Sequence, residues 1–283
     1  MFTPTSEQTQ IAKADTGQGS ITDTALVSEL AFVRGQAQPA AFPSRLKTTG
    51  TFKIDPLQTA CGLTLTAKPL RGARIVLDIV APCHTNKVVT ISHAGLRFTE
   101  ITDNAGRIHM IIPVLYDPAN INVSFADGVA KSISVRAKDI SSLQRTLIAW
   151  EGPVNLHLQV SETSYDATQN RKITTLNPRS YRQAYIKGGG YLTTLGNPDL
   201  ENGKFIQVYS IENQGAAFVD FSIVLENPSR QCGMGYSIDT MRYNPEYGVQ
   251  SGSMKASVKN CSAKNQTIVL KNMLRSMIVA QRN

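Results

Sequence analysis

Apolar and polar residues alternate with period two along much of this chain. Between residues 48 and 140, Leu63, Leu65 and Ala67 alternate with polar neighbours, as do Ile75, Leu77 and Ile79, then Val89, Ile91 and His93. Ile108, Met110 and Ile112 repeat the pattern, and Ile121, Val123 and Phe125 are followed by Ile133 and Val135. Successive side chains on a strand point to opposite faces, so this alternation predicts short, half-buried strands. Several such strands in succession predict an antiparallel sandwich or barrel. Thr102-Asp103-Asn104-Ala105-Gly106 and Ala126-Asp127-Gly128 supply turns.

The same period returns further on. Leu156, Leu158 and Val160 predict one strand. Phe205, Gln207 and Tyr209 alternate with Ile206 and Val208, and Val219, Phe221, Ile223 and Leu225 with Asp220, Ser222 and Val224. Met254, Ala256 and Val258 predict another. Between the two groups, periodicity is poor over 161–203, which predicts a loop-rich insertion. Ala25, Leu26, Leu30 and Val33 share one face of a predicted short helix that ends at Gly35, followed by a linker with Pro39 and Pro43. Near the C-terminus, Leu270, Met273, Leu274, Met277 and Ile278 fit an amphipathic helix, with a strand over 267–270 as the alternative.

These elements predict a mostly-β fold of two β-sandwich-like domains with a loop-rich insertion and short terminal helices. The expected divisions are a flexible arm and linker over 1–47, a β-sandwich over 48–146 and a second β-rich domain over 147–283. The length of 283 residues agrees with two domains at about 150 residues each. The hydrophobic fraction of 41% is enough for a core and excludes a disordered chain. No run approaches about 18 consecutive apolar residues, so no transmembrane helix is predicted.

The four cysteines fall into two distant pairs, Cys61 with Cys83 and Cys232 with Cys261, without a CxxC or a Cys/His cluster. Nearest-neighbour disulfides Cys61–Cys83 and Cys232–Cys261 fit this spacing, although four cysteines allow three pairings and buried free thiols are the other reading. Disulfides place a chain outside the cytosol: periplasm, cell surface or secreted. The polar first nineteen residues lack the basic and apolar regions of a signal peptide. A leader removed beforehand, or a virion protein made in the cytosol, reconciles the two.

Net charge is +8 and spread along the chain, which suits an anionic partner such as an envelope polymer or lipid headgroups, or simply a solvated surface. Base-stacking motifs are missing, which excludes sequence-specific nucleic-acid readout. His84, His93, His109 and His157 form no HxH, HxxxH or HExxH pattern, so neither a metal site nor a cofactor is predicted. Gly233-Met234-Gly235-Tyr236-Ser237 lacks the trailing glycine of a nucleophile elbow. No catalytic residue is assigned. The strongest binding candidate is the interleaving of Tyr165, Tyr181, Tyr185 and Tyr191 with Arg179, Arg182 and Lys187. Tyrosine and arginine favour protein, carbohydrate and anion recognition, whereas the plainer reading is edge-covering rings among solvated cations.

Thr102-Asp103-Asn104-Ala105-Gly106 followed by Ile108-His109-Met110-Ile111-Ile112-Pro113 resembles a recurrent piece of the carboxypeptidase-regulatory-like, or transthyretin-like, β-sandwich. With its flanking strands the resemblance extends over 48–140. It implies an accessory, adhesive or structural scaffold, and carries over no catalytic residue. The expected function is therefore a non-enzymatic extracytoplasmic protein of a cell envelope or surface. It would act by self-assembly, or by binding a protein partner or an anionic or glycan envelope polymer. A capsid, tail or fibre protein of a virus or phage is the first alternative, and an extracellular hydrolase with an unrecognised site the second.

Overall fold

A computed structural model describes residues 61–164, 170–213, 217–226, 235–257, 267–271 and 274–279. The predicted arm and helix of 1–47, Tyr165 and the Cys232–Cys261 pair lie outside the described residues. The described chain is mostly β. Strands β1 (Thr64–Leu70), β2 (Arg74–Val80) and β5 (Arg107–Pro113) form a first antiparallel sheet. Strands β4 (Leu96–Ile101), β3 (Val88–His93), β6 (Ala119–Phe125) and β7 (Ala130–Val135) form the second, in that order. The predicted turn at 102–106 links β4 to β5, and so turns a corner between these sheets. Asp103 Oδ1 accepts from the Ala105 and Arg107 N–H groups at 2.9 and 2.7 Å. Gly106 has φ +70°, and a Cβ there would stand 2.0 Å from the Ala81 carbonyl oxygen, so only glycine closes this corner.

The third sheet is β11 (Tyr191–Leu195), β12 (Lys204–Glu212), β8 (Leu143–Glu151), β14 (Gly235–Asn244) and β15 (Gly248–Ser257), in that order. A short 3-10 helix (Lys138–Ser142) leads into it. The fourth orders β10 (Asn170–Ile173), β9 (Leu156–Ser164), β13 (Ala217–Glu226) and β16 (Thr267–Lys271), with β17 (Met277–Val279) also on β13. One helix, α1 (Tyr181–Lys187), stands between β10 and β11.

Strand β8 explains how the halves join. Leu143, Leu147 and Ala149 enter the core built on Ile75, Leu77, Ile91 and Val123. Ile148 and Trp150 enter the other core, with Leu158, Val160 and Phe221. A strand buried on both faces shows no alternation, which is why the period-two rule passes over Leu143–Glu151. The expected boundary at 146/147 falls inside this shared strand.

Two further segments add detail to the expectation. The described residues of 161–203 hold the end of β9, then β10, α1 and β11, joined by turns. These elements are too short to print a period. Near the C-terminus the strand alternative over 267–270 holds in place of the helix, and the described residues add a second strand: Leu270 pairs with Ile223, Ile268 with Leu225 and Met277 with Val219. Pairing to β13 overrides the helical spacing, as tertiary context commonly does. The Cys61–Cys83 disulfide is present, with Cα atoms 5.1 Å apart.

Candidate functional site

Helix α1 begins with a capping box. Ser180 Oγ accepts from the Gln183 N–H at 3.2 Å, and Gln183 Oε1 accepts from the Ser180 N–H at 2.7 Å. Such a cap contributes about 1 kcal/mol, which a seven-residue helix needs. The Ser-x-x-Gln spacing at 180–183 is a capping-box signature that the reading by periodicity alone misses.

The helix is tied to both faces of the third sheet. On one face, Tyr191, Ser210, Arg145 and Tyr243 stand in one row across β11, β12, β8 and β14. Arg145 is fully buried. It donates through Nε to Ser210 Oγ at 3.0 Å, and through Nη2 to the Gly72 and Ala73 carbonyls at 2.8 and 2.9 Å. Burial pulls its pKa down, opposed by Tyr191, yet a guanidinium stays charged in a protein. Over this row lies the Gly72 turn, against which Tyr181 packs. The Arg74 guanidinium sits 3.7 Å from the Tyr181 ring centroid, and Tyr181 meets Tyr191 edge-on at 5.7 Å. Burial, then the Glu212 carboxylate, raises the Tyr181 pKa.

On the other face, the inward row of β9 runs Leu156, Leu158, Val160 and then Glu162. Glu162 is buried where the apolar row ends. Its Oε1 accepts from the Tyr209 hydroxyl at 2.7 Å and the Gly190 N–H at 2.6 Å. Arg171 and Arg179 each approach Oε2 to 3.7 Å. Burial first, then Glu162, raises the Tyr209 pKa well above its ordinary value. Arg179 also donates to the Gly188 and Gly190 carbonyls at 2.8 and 3.2 Å, closing the C-terminal end of α1. Gly189 has φ +82°, and a Cβ there would meet Glu162 Oε2 at 2.4 Å.

The predicted binding residues therefore divide. Arg179 and Tyr191 are structural, locked into these two networks, and Tyr181 is the packed hinge between them. Arg182, Tyr185 and Lys187 remain outward. Tyr185 and its unpredicted neighbour Ile186 are 53% and 67% exposed. Positions 182, 185 and 186 share one helix face. Arg71 joins it, with Nη1 3.4 Å from the Tyr185 hydroxyl. Leu176, 93% exposed in the turn before α1, was also missed, since a lone leucine in a loop carries no pattern. The depression between Tyr181, Tyr185, Tyr191 and Glu212 measures about 20 Å³, room for a water and not for a substrate.

The histidines do not converge. His93 is buried between the Asn120 carbonyl and the Leu115 N–H at 3.0 Å each, and burial lowers its pKa. His84 pairs with Asp127 at 2.8 Å and His109 with Asp78 at 2.6 Å. His157 lies 3.1 Å from Thr175 Oγ1 and 3.4 Å from Glu226 Oε2. That hydroxyl, imidazole and carboxylate follow the order of an activated nucleophile, but they sit apart from the clefts described below. Among the described residues no three His, Cys, Asp or Glu side chains gather as metal donors. No protein-family model matches the chain, and no curated protein matches its sequence significantly.

Proposed function

We propose that this chain is a non-enzymatic binding or assembly protein working outside the cytosol, at a cell envelope or surface, and that it engages its partner through the outer face of α1. The observation that carries the reading is a contrast. Seven residues of helix are fixed from beneath by two networks, one centred on buried Arg145 and one on buried Glu162, while Arg182, Tyr185, Ile186 and Lys187 face outward. Arg182 and Lys187 form no ion pair with a described residue. Rigid support under exposed tyrosine, isoleucine and cations suits recognition, because little order remains to be imposed on binding. The Cys61–Cys83 disulfide supports the extracytoplasmic part. The likeness of the 102–113 run to carboxypeptidase-regulatory-like modules supports a scaffold role.

The test is co-sedimentation of purified protein with isolated envelope fractions. Replacing Arg182, Ile186 and Lys187 together by serine should weaken association at least about tenfold, while stability changes by no more than ~0.5 kcal/mol, as for exposed positions generally. Added salt should weaken the parent in part, screening the cations and leaving the Tyr185 and Ile186 contact. A triple variant that associates as the parent does, and keeps its oligomeric mass, removes the α1 face from the account.

A further inference from the structure

On the second sheet, Arg97, Ser92, Asn122 and Ser132 are directly paired neighbours, one from each strand. The alternation that buries Ile91, Ile121 and Val123 turns this row outward. Two open clefts of about 220 Å³ each flank the β3–β4 turn, and both are lined by Gly95 and Arg97. One lies over the row, where Asn120 and Asn122 add amides to the hydroxyls of Ser92 and Ser132. The other lies between the turn and the open end of the third sheet, lined by Glu151, Lys204, Ser237 and Asp239. Lys204 and Glu151 pair at 3.2 Å, whereas Arg97 and Asp239 form no ion pair with each other.

We propose that these two clefts form one groove that binds a short segment of neutral glycan, one ring in each cleft, with Arg97 between them. The size argument is direct: each cleft is smaller than the ~300–1,000 Å³ pockets of larger ligands and suits a single ring. The charge argument is stronger. The protein carries +8, yet the first cleft is lined by amides and hydroxyls around one cation, and the second by two acids against Lys204 and the shared Arg97. Such a surface offers donors and acceptors in balance, which polyhydroxyl rings use and a polyanion does not. The groove is separate from the α1 face and does not depend on it.

Binding is to be measured by calorimetry and saturation-transfer NMR. The probes are an N-acetylglucosamine tetramer, maltotetraose and, as an anionic comparison, a galacturonate tetramer. At least one neutral tetramer should bind at millimolar concentration or tighter, and more tightly than the galacturonate. Arg97→Ala should weaken it about tenfold, as expected for hydrogen bonds to a charged group. Asp239→Ala and Asn122→Ala should each weaken it less, without lowering the melting temperature. Ile186→Ser on α1 should leave sugar binding unchanged, so the two surfaces fail or stand separately. Three outcomes would each overturn the proposal: no neutral tetramer binding, tighter binding of the galacturonate, or unchanged binding by Arg97→Ala.

Discussion

Arg145→Ala is expected to destabilise the protein by about 4 kcal/mol, the scale of losing a buried charged partner together with its volume. Arg145 holds the Gly72 and Ala73 carbonyls and Ser210 Oγ from a fully buried position. Alanine removes the donor to the Gly72 carbonyl and Ser210 Oγ, leaves the Ala73 carbonyl only the Val114 N–H, and opens a cavity beneath the Arg74–Tyr181 contact. Arg145→Met separates the two effects. It refills most of the volume, so the remaining loss, about 2 kcal/mol, reports the lost hydrogen bonds. Urea unfolding measures both. A loss below about 1 kcal/mol for alanine, near that of an ordinary surface change, would mean that Arg145 does not tie the Gly72 turn to the third sheet.

Glu162→Ala should cost about 3–5 kcal/mol, because it leaves two arginines facing each other without the carboxylate between them. It also removes the acceptor of the Tyr209 hydroxyl and the Gly190 N–H. Glu162→Gln keeps an acceptor and loses the charge, so its cost should be smaller, about 1–2 kcal/mol. The local signature matters as much as the total. Gly188–Gly190 should become the first site of proteolytic cleavage in Glu162→Ala, since Arg179 loses its anchor there. An alanine variant that unfolds like the parent, with no new cleavage between 179 and 190, would contradict the role given to Glu162.

The sequence is legible where one face of a strand meets solvent. Ile75, Leu77 and Ile79 alternate in the chain and are buried in the structure. It is opaque where that condition fails. Strand β8 is buried on both sides, so Leu143–Glu151 shows no alternation, its polar Gln144-Arg145-Thr146 preceding the apolar Leu147–Trp150, and the junction of the two halves goes unseen. The candidate site is legible only in composition. The tyrosines and cations of 179–191 stand out together, but nothing in their order separates the half-buried Arg179 and buried Tyr191 from the exposed Arg182 and Tyr185. Arg179 faces inward because of Glu162, and Glu162 reads in sequence as one more polar residue after Val160. Such a division depends on which distant strand each side chain meets.

The central claim is that the outer face of α1 is the contact surface, and site-directed photo-crosslinking tests it most directly. A photoreactive side chain is placed singly at Arg182, Tyr185 or Ile186, and, for comparison, at Tyr247 or Ile278, which are as exposed at 73% and 68%. Illumination on intact envelopes should give one common adduct from the three α1 positions and none from the other two. Equal adducts from Tyr247 or Ile278, or no adduct from α1 in protein that still sediments with the envelope, would contradict the account.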